Sequence, residues 1–211
     1  MANSKSVIVD KQWQVKQELD ALGLAPEMVK KIALAAAGAR AEALPVDPCS
    51  APGTQAYIYG VRAIRLQLLP HGWQISRVGN VESTVNHELG VQICFQNVDH
   101  ACGLRDPEAI SGKGSASRTL VQSGQAELFP RTEDGGKQMH GSRLKVWLIC
   151  VSSDDTHVRA EVSCPEVFEG NQFEGFTKRL FVVDESFAPQ PDRATKQDDD
   201  FPNLDVQVTK K

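Results

Sequence analysis

The apolar residues of this chain change period part-way along it. Up to Leu69 they recur every three or four positions and from Trp73 every second position, so helices come first and strands after. That order predicts an α+β fold with segregated layers rather than alternating βα units. The 211 residues are 41% hydrophobic and 24% charged, enough to close one core.

Val15, Leu19 and Leu22 lie at helical spacing over residues 10–22, with Asp10 placed as a cap. After Gly23, Pro26 and Glu27 make a sound start for a second helix, because proline lacks a donor the first turn cannot use. This helix runs to about Ala43 with Met28, Ile32, Ala35 and Ala39 on one stripe. The two read as an antiparallel helical hairpin over 1–44. A DNA-reading helix-turn-helix would offer long polar side chains on its second helix, and here alanine dominates. Lys30 and Lys31 are its candidate nucleic-acid contacts.

Pro45, Pro48 and Pro52 mark a linker over 45–55, and a third helix follows over 56–69 with arginines outward. Trp73 to Arg77 and Val81 to Val85 flank a Gly79-Asn80 turn, the signature of a hairpin. Val91, Ile93 and Phe95 share one face of the next strand. A second hairpin joins Leu144–Val151 to Val158–Cys164, and Phe173 to Phe181 form a short helix or an edge segment. The expected architecture is an N-terminal helical hairpin plus a helix packed on a mainly antiparallel sheet built from two β-hairpins. The α+β domain spans 56–187 with a long loop at 103–142, and a disordered acidic tail spans 188–211.

No apolar run approaches the roughly 20 residues of a membrane-spanning helix, and the first ten residues lack the apolar core of a secretory signal. Five widely spaced cysteines without a Cys-x-x-Cys pair predict reduced thiols, no structural zinc and a cytoplasmic setting. Residues 1–150 sum to +2 and residues 151–211 to −6, so no global positive field draws the chain to nucleic acid.

The chemistry of catalysis is sparsely represented. Ser111-Gly112-Lys113-Gly114-Ser115 fails the phosphate-loop spacing, because Pro107 and Gly114 stand where a glycine and a magnesium-binding hydroxyl belong. A Gly-x-Ser-x-Gly elbow is absent, and no acid is followed two positions later by lysine. Glu82, Asp99 and His100, with His87 nearby, lie near strand ends and are the candidate catalytic group, able to hold a divalent metal such as Mg if they converge. Cys102 beside His100 is the one local thiol–base suggestion.

Lys113 and Arg118 occupy an acid-free stretch over 111–125 and are candidate nucleic-acid contacts. Asp198, Asp199, Asp200 and Phe201 combine charge with an aromatic anchor and are candidate partner-binding residues. Over Asp198 to Pro202 the chain resembles the acidic-hydrophobic tip of bacterial single-stranded-DNA-binding proteins, although the motif precedes the C-terminus and the body lacks their aromatic richness.

The organisation of residues 51–73, 88–102 and 164–185, with Tyr57-Ile58-Tyr59-Gly60 and Phe95-Gln96-Asn97-Val98-Asp99, is similar to uncharacterised proteins encoded in bacterial prophages and integrative elements. The resemblance implies a mobile-element context and transfers no active-site residue. The expected function is a non-enzymatic accessory binding protein acting on a host protein or nucleic acid, without membrane or small-molecule cofactor. The alternative is a metal-dependent, nuclease-like DNA-processing enzyme built on Glu82, Asp99 and His100.

Overall fold

The computed structural model describes residues 6–111, 119, 144–166, 168–169, 172–173 and 175–187. Strand β1 (Val7–Val9) precedes helices α1 (Gln12–Ala21), α2 (Pro26–Ala41) and α3 (Ala51–Leu68). Strands β2 (Gln74–Ser76), β3 (Ser83–Asn86), β4 (Val91–Asn97), β5 (Lys145–Ser153) and β6 (His157–Pro165) follow. The small pair β7 (Phe168–Glu169) and β8 (Gln172–Phe173) then leads to β9 (Phe176–Ser186).

The α+β class holds, but the expected sheet of two antiparallel hairpins does not. Seven strands form one mixed sheet in the order β1-β9-β6-β5-β4-β3-β2. The β2/β3 and β5/β6 pairings are antiparallel as read, yet β4 and β5 run parallel, as do β1 and β9. A parallel pair needs a connection that crosses from one end of the sheet to the other, and the long segment after β4 is that crossover. Read as a surface excursion, it concealed the parallel register. Val7–Val9 is too short to show a period and acquires its strand form only by pairing with Lys178–Leu180.

The helices also associate differently from the hairpin reading. α2 packs chiefly on α3, whereas α1 leans on β9. Buried Ala33, Ala36 and Ala39 on α2 and Ala56, Gly60 and Ala63 on α3 lack bulk, which lets the two axes approach. α3 begins inside the stretch read as a 45–55 linker. Pro52 sits in its first turn, where a missing N–H removes no helical hydrogen bond, so this proline starts a helix rather than breaking one.

All three helices cover one face of the sheet. Val91, Ile93 and Phe95 of β4, Trp147, Ile149 and Val151 of β5, and Val158, Ala160 and Val162 of β6 point into this main core. The period-two alternation places Cys94, Val146, Leu148 and Cys150 on the other face, in a smaller cluster closed by Val98 and Ala101. The loop after β4 folds back over that face, held by a bridge between Val98 and Ala109. Consequently Gln92 and Gln96, on the side read as polar, are buried, and the Gln92 amide donates to Ser83 Oγ at 2.8 Å. No helix among the described residues is long and apolar enough to cross a membrane.

Candidate interaction surface

Two polar constellations stand out, one interior and one at the surface. The interior one is centred on Glu161 of β6 and Arg179 of β9, both fully buried. The guanidinium donates from Nε to Glu161 Oε1 at 2.8 Å and from Nη2 to Oε2 at 2.7 Å, a bidentate pair. The same carboxylate accepts from Ser163 Oγ and from the Cys102 backbone N–H, each at 2.7 Å. Nη1 reaches the Arg105 carbonyl at 3.0 Å and Asp106 at 3.3 Å, and Asp106 accepts from Ser6 Oγ at 2.8 Å. One guanidinium thus ties two strands, the loop after β4 and the segment entering β1. Each guanidinium nitrogen and both Glu161 oxygens have partners, so the arrangement acts as a clamp between these segments.

The clamp also decides the thiol. Cys102 adopts a left-handed backbone, φ 58°, and its Sγ donates to the carbonyls of Ala160 and Val183 at 3.3 Å. Burial, then the Glu161 and Asp184 carboxylates, push its pKa up to about 12. Among the described residues no imidazole hydrogen-bonds this thiol, whose partners are the two carbonyls instead of His100. A thiol reagent at pH 8 is expected to modify exposed Cys49 rapidly and Cys102 only on unfolding. Native-state labelling of Cys102 at the rate of Cys49, followed by mass spectrometry, would contradict this.

Of the candidate catalytic residues, Glu82 and Asp99 each engage arginine. Glu82 is held by Arg65 of α3 and by Arg77 at 3.4 Å. The Arg65 hydrogen bond leads in keeping its carboxyl below the usual range, against a smaller opposing effect of burial. Asp99 lies in the loop after β4, accepting from the His100 and Glu108 backbone N–H groups at 2.7 and 2.8 Å and from Arg105. Burial opposes its ionisation, but these donors together hold its pKa low. The exposed His100 ring lies over Gly103. Among the described residues no group of three His, Cys, Asp or Glu side chains is arranged to hold a metal ion. Asp99 does border a cavity of about 70 Å³ with Arg40, Asn97 and Ser152, room for waters but below the several hundred Å³ of a ligand site.

The other candidates are scattered. Lys30 is engaged with Glu185 at 2.6 Å, and Lys31 is exposed on α2. Lys113, Arg118 and the group Asp198, Asp199, Asp200 and Phe201 lie outside the described residues.

What the sequence reading missed is the outer face of α3. This helix is apolar on two sides. Ala56, Val61, Ile64 and Leu68 face the core, while Ile58, Tyr59, Leu66 and Leu69 face solvent, with Leu66 66% exposed. Arg62 lies over the Tyr59 ring at 4.5 Å. Tyr57, Ile58, Val61 and Leu66 wall an open groove of about 420 Å³, and Arg62, Arg65 and Glu82 supply its polar edge. Ile75 of edge strand β2 and Val78 are exposed apolar residues as well. The available signal was an excess of apolar residues over Tyr57–Leu69, too many for a single stripe.

No family model matches the chain, and neither a curated protein nor a solved structure matches it.

Proposed function

We propose that this chain is a non-enzymatic binding protein whose α3 groove takes an acidic segment with an apolar anchor from a protein partner. The carrying observation is a solvent-facing apolar wall, Ile58, Tyr59 and Leu66, edged by Arg62 and Arg65 against Glu82, the one acid among the groove's described residues, with Arg77 on the far side of that acid. Apolar area supplies affinity, and the surplus positive charge selects an acidic partner and speeds encounter. Duplex DNA is the weaker reading, since the groove is apolar at its centre and Lys30 already pairs with Glu185. A cytoplasmic setting suits the exposed Cys49 thiol, and the mobile-element context rests on the resemblance of residues 51–73, 88–102 and 164–185.

The test is a titration followed by methyl NMR, using a glycine-flanked peptide of three aspartates and one phenylalanine. A basic peptide and single- and double-stranded oligonucleotides serve as competitors at two salt concentrations. The acidic peptide is expected to shift the Ile58 and Leu66 methyls, and Leu66→Asp to weaken binding at least tenfold. Shifts confined to other surfaces, or binding only to oligonucleotides with steep salt dependence, would overturn the proposal.

A further inference from the structure

Resting on that reading of the groove, we infer that the partner segment binds extended, as a further strand added to the free edge of β2, with alternate side chains turned toward the outer wall of α3. Register, the course of the helix and charge carry the inference.

Among the described residues β2 has one neighbour, β3, so its other side presents backbone N–H and C=O groups without a strand partner. Such edges are commonly blunted by charge or proline. Gln74-Ile75-Ser76 carries neither, and Arg77, next along, is drawn to Glu82. Ile75 stands opposite Thr84 and Thr84 opposite Ile93, which points into the helix-covered core. Residues directly opposite share a face, so the exposed Ile75 side chain also lies on the helical side. α3 crosses this face toward β2. Its Gly53 carbonyl accepts from Asn97 at the end of β4, Gly60 lies on Phe95, and Arg65 holds Glu82 just ahead of β3. A strand added at β2 thus has Ile75 and the outer wall of α3 on one side.

The side-chain pattern follows. Arg65 and Arg77 are committed to Glu82, which leaves Arg62, stacked on Tyr59, as the one arginine of the described lining open to a carboxylate. Ile58, Arg62 and Leu66 stand one turn apart, about 6 Å each, against about 6.7 Å between same-face positions of a strand. The segment that fits reads apolar-x-acid-x-apolar. Backbone hydrogen bonds to β2 supply affinity, and the groove selects the side chains. A second copy of α3 fits poorly, because antiparallel pairing of Ile58 with Leu66 sets Arg62 against Arg62.

The experiment titrates the full chain with acetyl-Gly-Ser-Leu-Thr-Asp-Thr-Val-Ser-Gly-amide, followed by amide and methyl NMR and by hydrogen exchange. Two further peptides carry backbone N-methyl groups, one on both threonines and the other on the aspartate and valine. Alternate N–H groups of an added strand face β2, so one N-methylated peptide is expected to bind at least about tenfold more weakly and the other to keep its affinity. Exchange at one or more of Gln74, Ile75 and Ser76 is expected to slow about tenfold at saturation, with shifts at the Ile58 and Leu66 methyls. Arg62→Gln is expected to weaken this peptide about tenfold and to leave the affinity of its Asp-to-Asn counterpart unchanged. Shifts on α3 with equal affinity of the two N-methylated peptides would overturn strand addition and leave the groove reading standing. Slowed exchange at β2 without shifts on α3, or no binding at all, would overturn both. Slowed exchange at Val7–Val9 instead, or concentration-dependent shifts at Gln74–Ser76 without peptide, would place the strand at the opposite edge or assign β2 to a second copy, and either overturns the inference.

Discussion

Arg179→Met is expected to lower the free energy of unfolding by about 3–5 kcal/mol, the range for removing one partner of a fully buried ion pair. The substitution leaves the Glu161 carboxylate in place with no counter-charge. Ser163 Oγ and the Cys102 N–H still donate to it, but two neutral donors do not replace a bidentate guanidinium. The loss spreads because Nη1 also holds the Arg105 carbonyl and Asp106. Arg179→Lys recovers little, since a single ammonium cannot reproduce the fork. Replacing both partners, Glu161→Leu with Arg179→Met, is expected to restore much of the stability, because neither charge is then left alone. In that double variant the Cys102 N–H has lost its acceptor, so faster amide exchange is expected around residues 101–106. Urea denaturation measures the first effect and hydrogen exchange the second. An Arg179→Met variant within 1 kcal/mol of the parent would show that the pair contributes no such linkage.

Gly60→Ala runs against helix propensity. In an exposed helical position the exchange gains about 1 kcal/mol, and Gly38 of α2, with open space around it, is expected to show that gain. At Gly60 the added methyl carbon would stand 2.3 Å from Cε2 and 2.5 Å from Cδ2 and Cζ of Phe95. That ring is 3% exposed, lies against Tyr57 edge to face at 6.2 Å, and belongs to the interior strand β4. It has nowhere to turn. Lifting α3 off the sheet or distorting the ring is expected to outweigh the propensity gain, for a net loss of about 1–3 kcal/mol, and Gly60→Val is expected to lose more. Phe95→Leu in the Gly60→Ala background is expected to recover part of it, a coupling that thermal or urea unfolding of the four chains would reveal. Equal stabilisation at Gly38 and Gly60 would contradict the close approach of α3 to β4.

These two sites mark the boundary of what the residues disclose on their own. The helices and the alternation of β4, β5 and β6 follow from local periodicity, although the buried stripe of α2 is turned toward Val29, Ala33 and Ala36, leaving Met28 and Ala35 half-buried at its margin. Pairing direction does not, because the same alternation serves a parallel or an antiparallel neighbour and only the path between strands decides. Glu161 shows the same limit. Its strand carries apolar residues at 158, 160, 162 and 164, so the intervening Arg159, Glu161 and Ser163 read as a wet face. A distant loop covers that face, and nothing within β6 reports it. Glu82, Asp99 and His100 have the residue types of a metal site near strand ends, yet Arg65 and Arg105 engage the two carboxylates. The outer wall of α3 is legible as surplus apolarity over Tyr57–Leu69, although Arg62 and Arg65 share that face.

The parallel seam between β1 and β9 has a bearing on synthesis. Among the described strands the earliest in sequence finds its partner in the latest, so Val7–Val9 must wait, unpaired, until β9 has been made. Ser6, next to it, joins the Arg179 clamp through Asp106 in the same closing event. Capture of Val7–Val9 therefore closes this edge of the sheet, and a reporter placed there would register the emergence of β9.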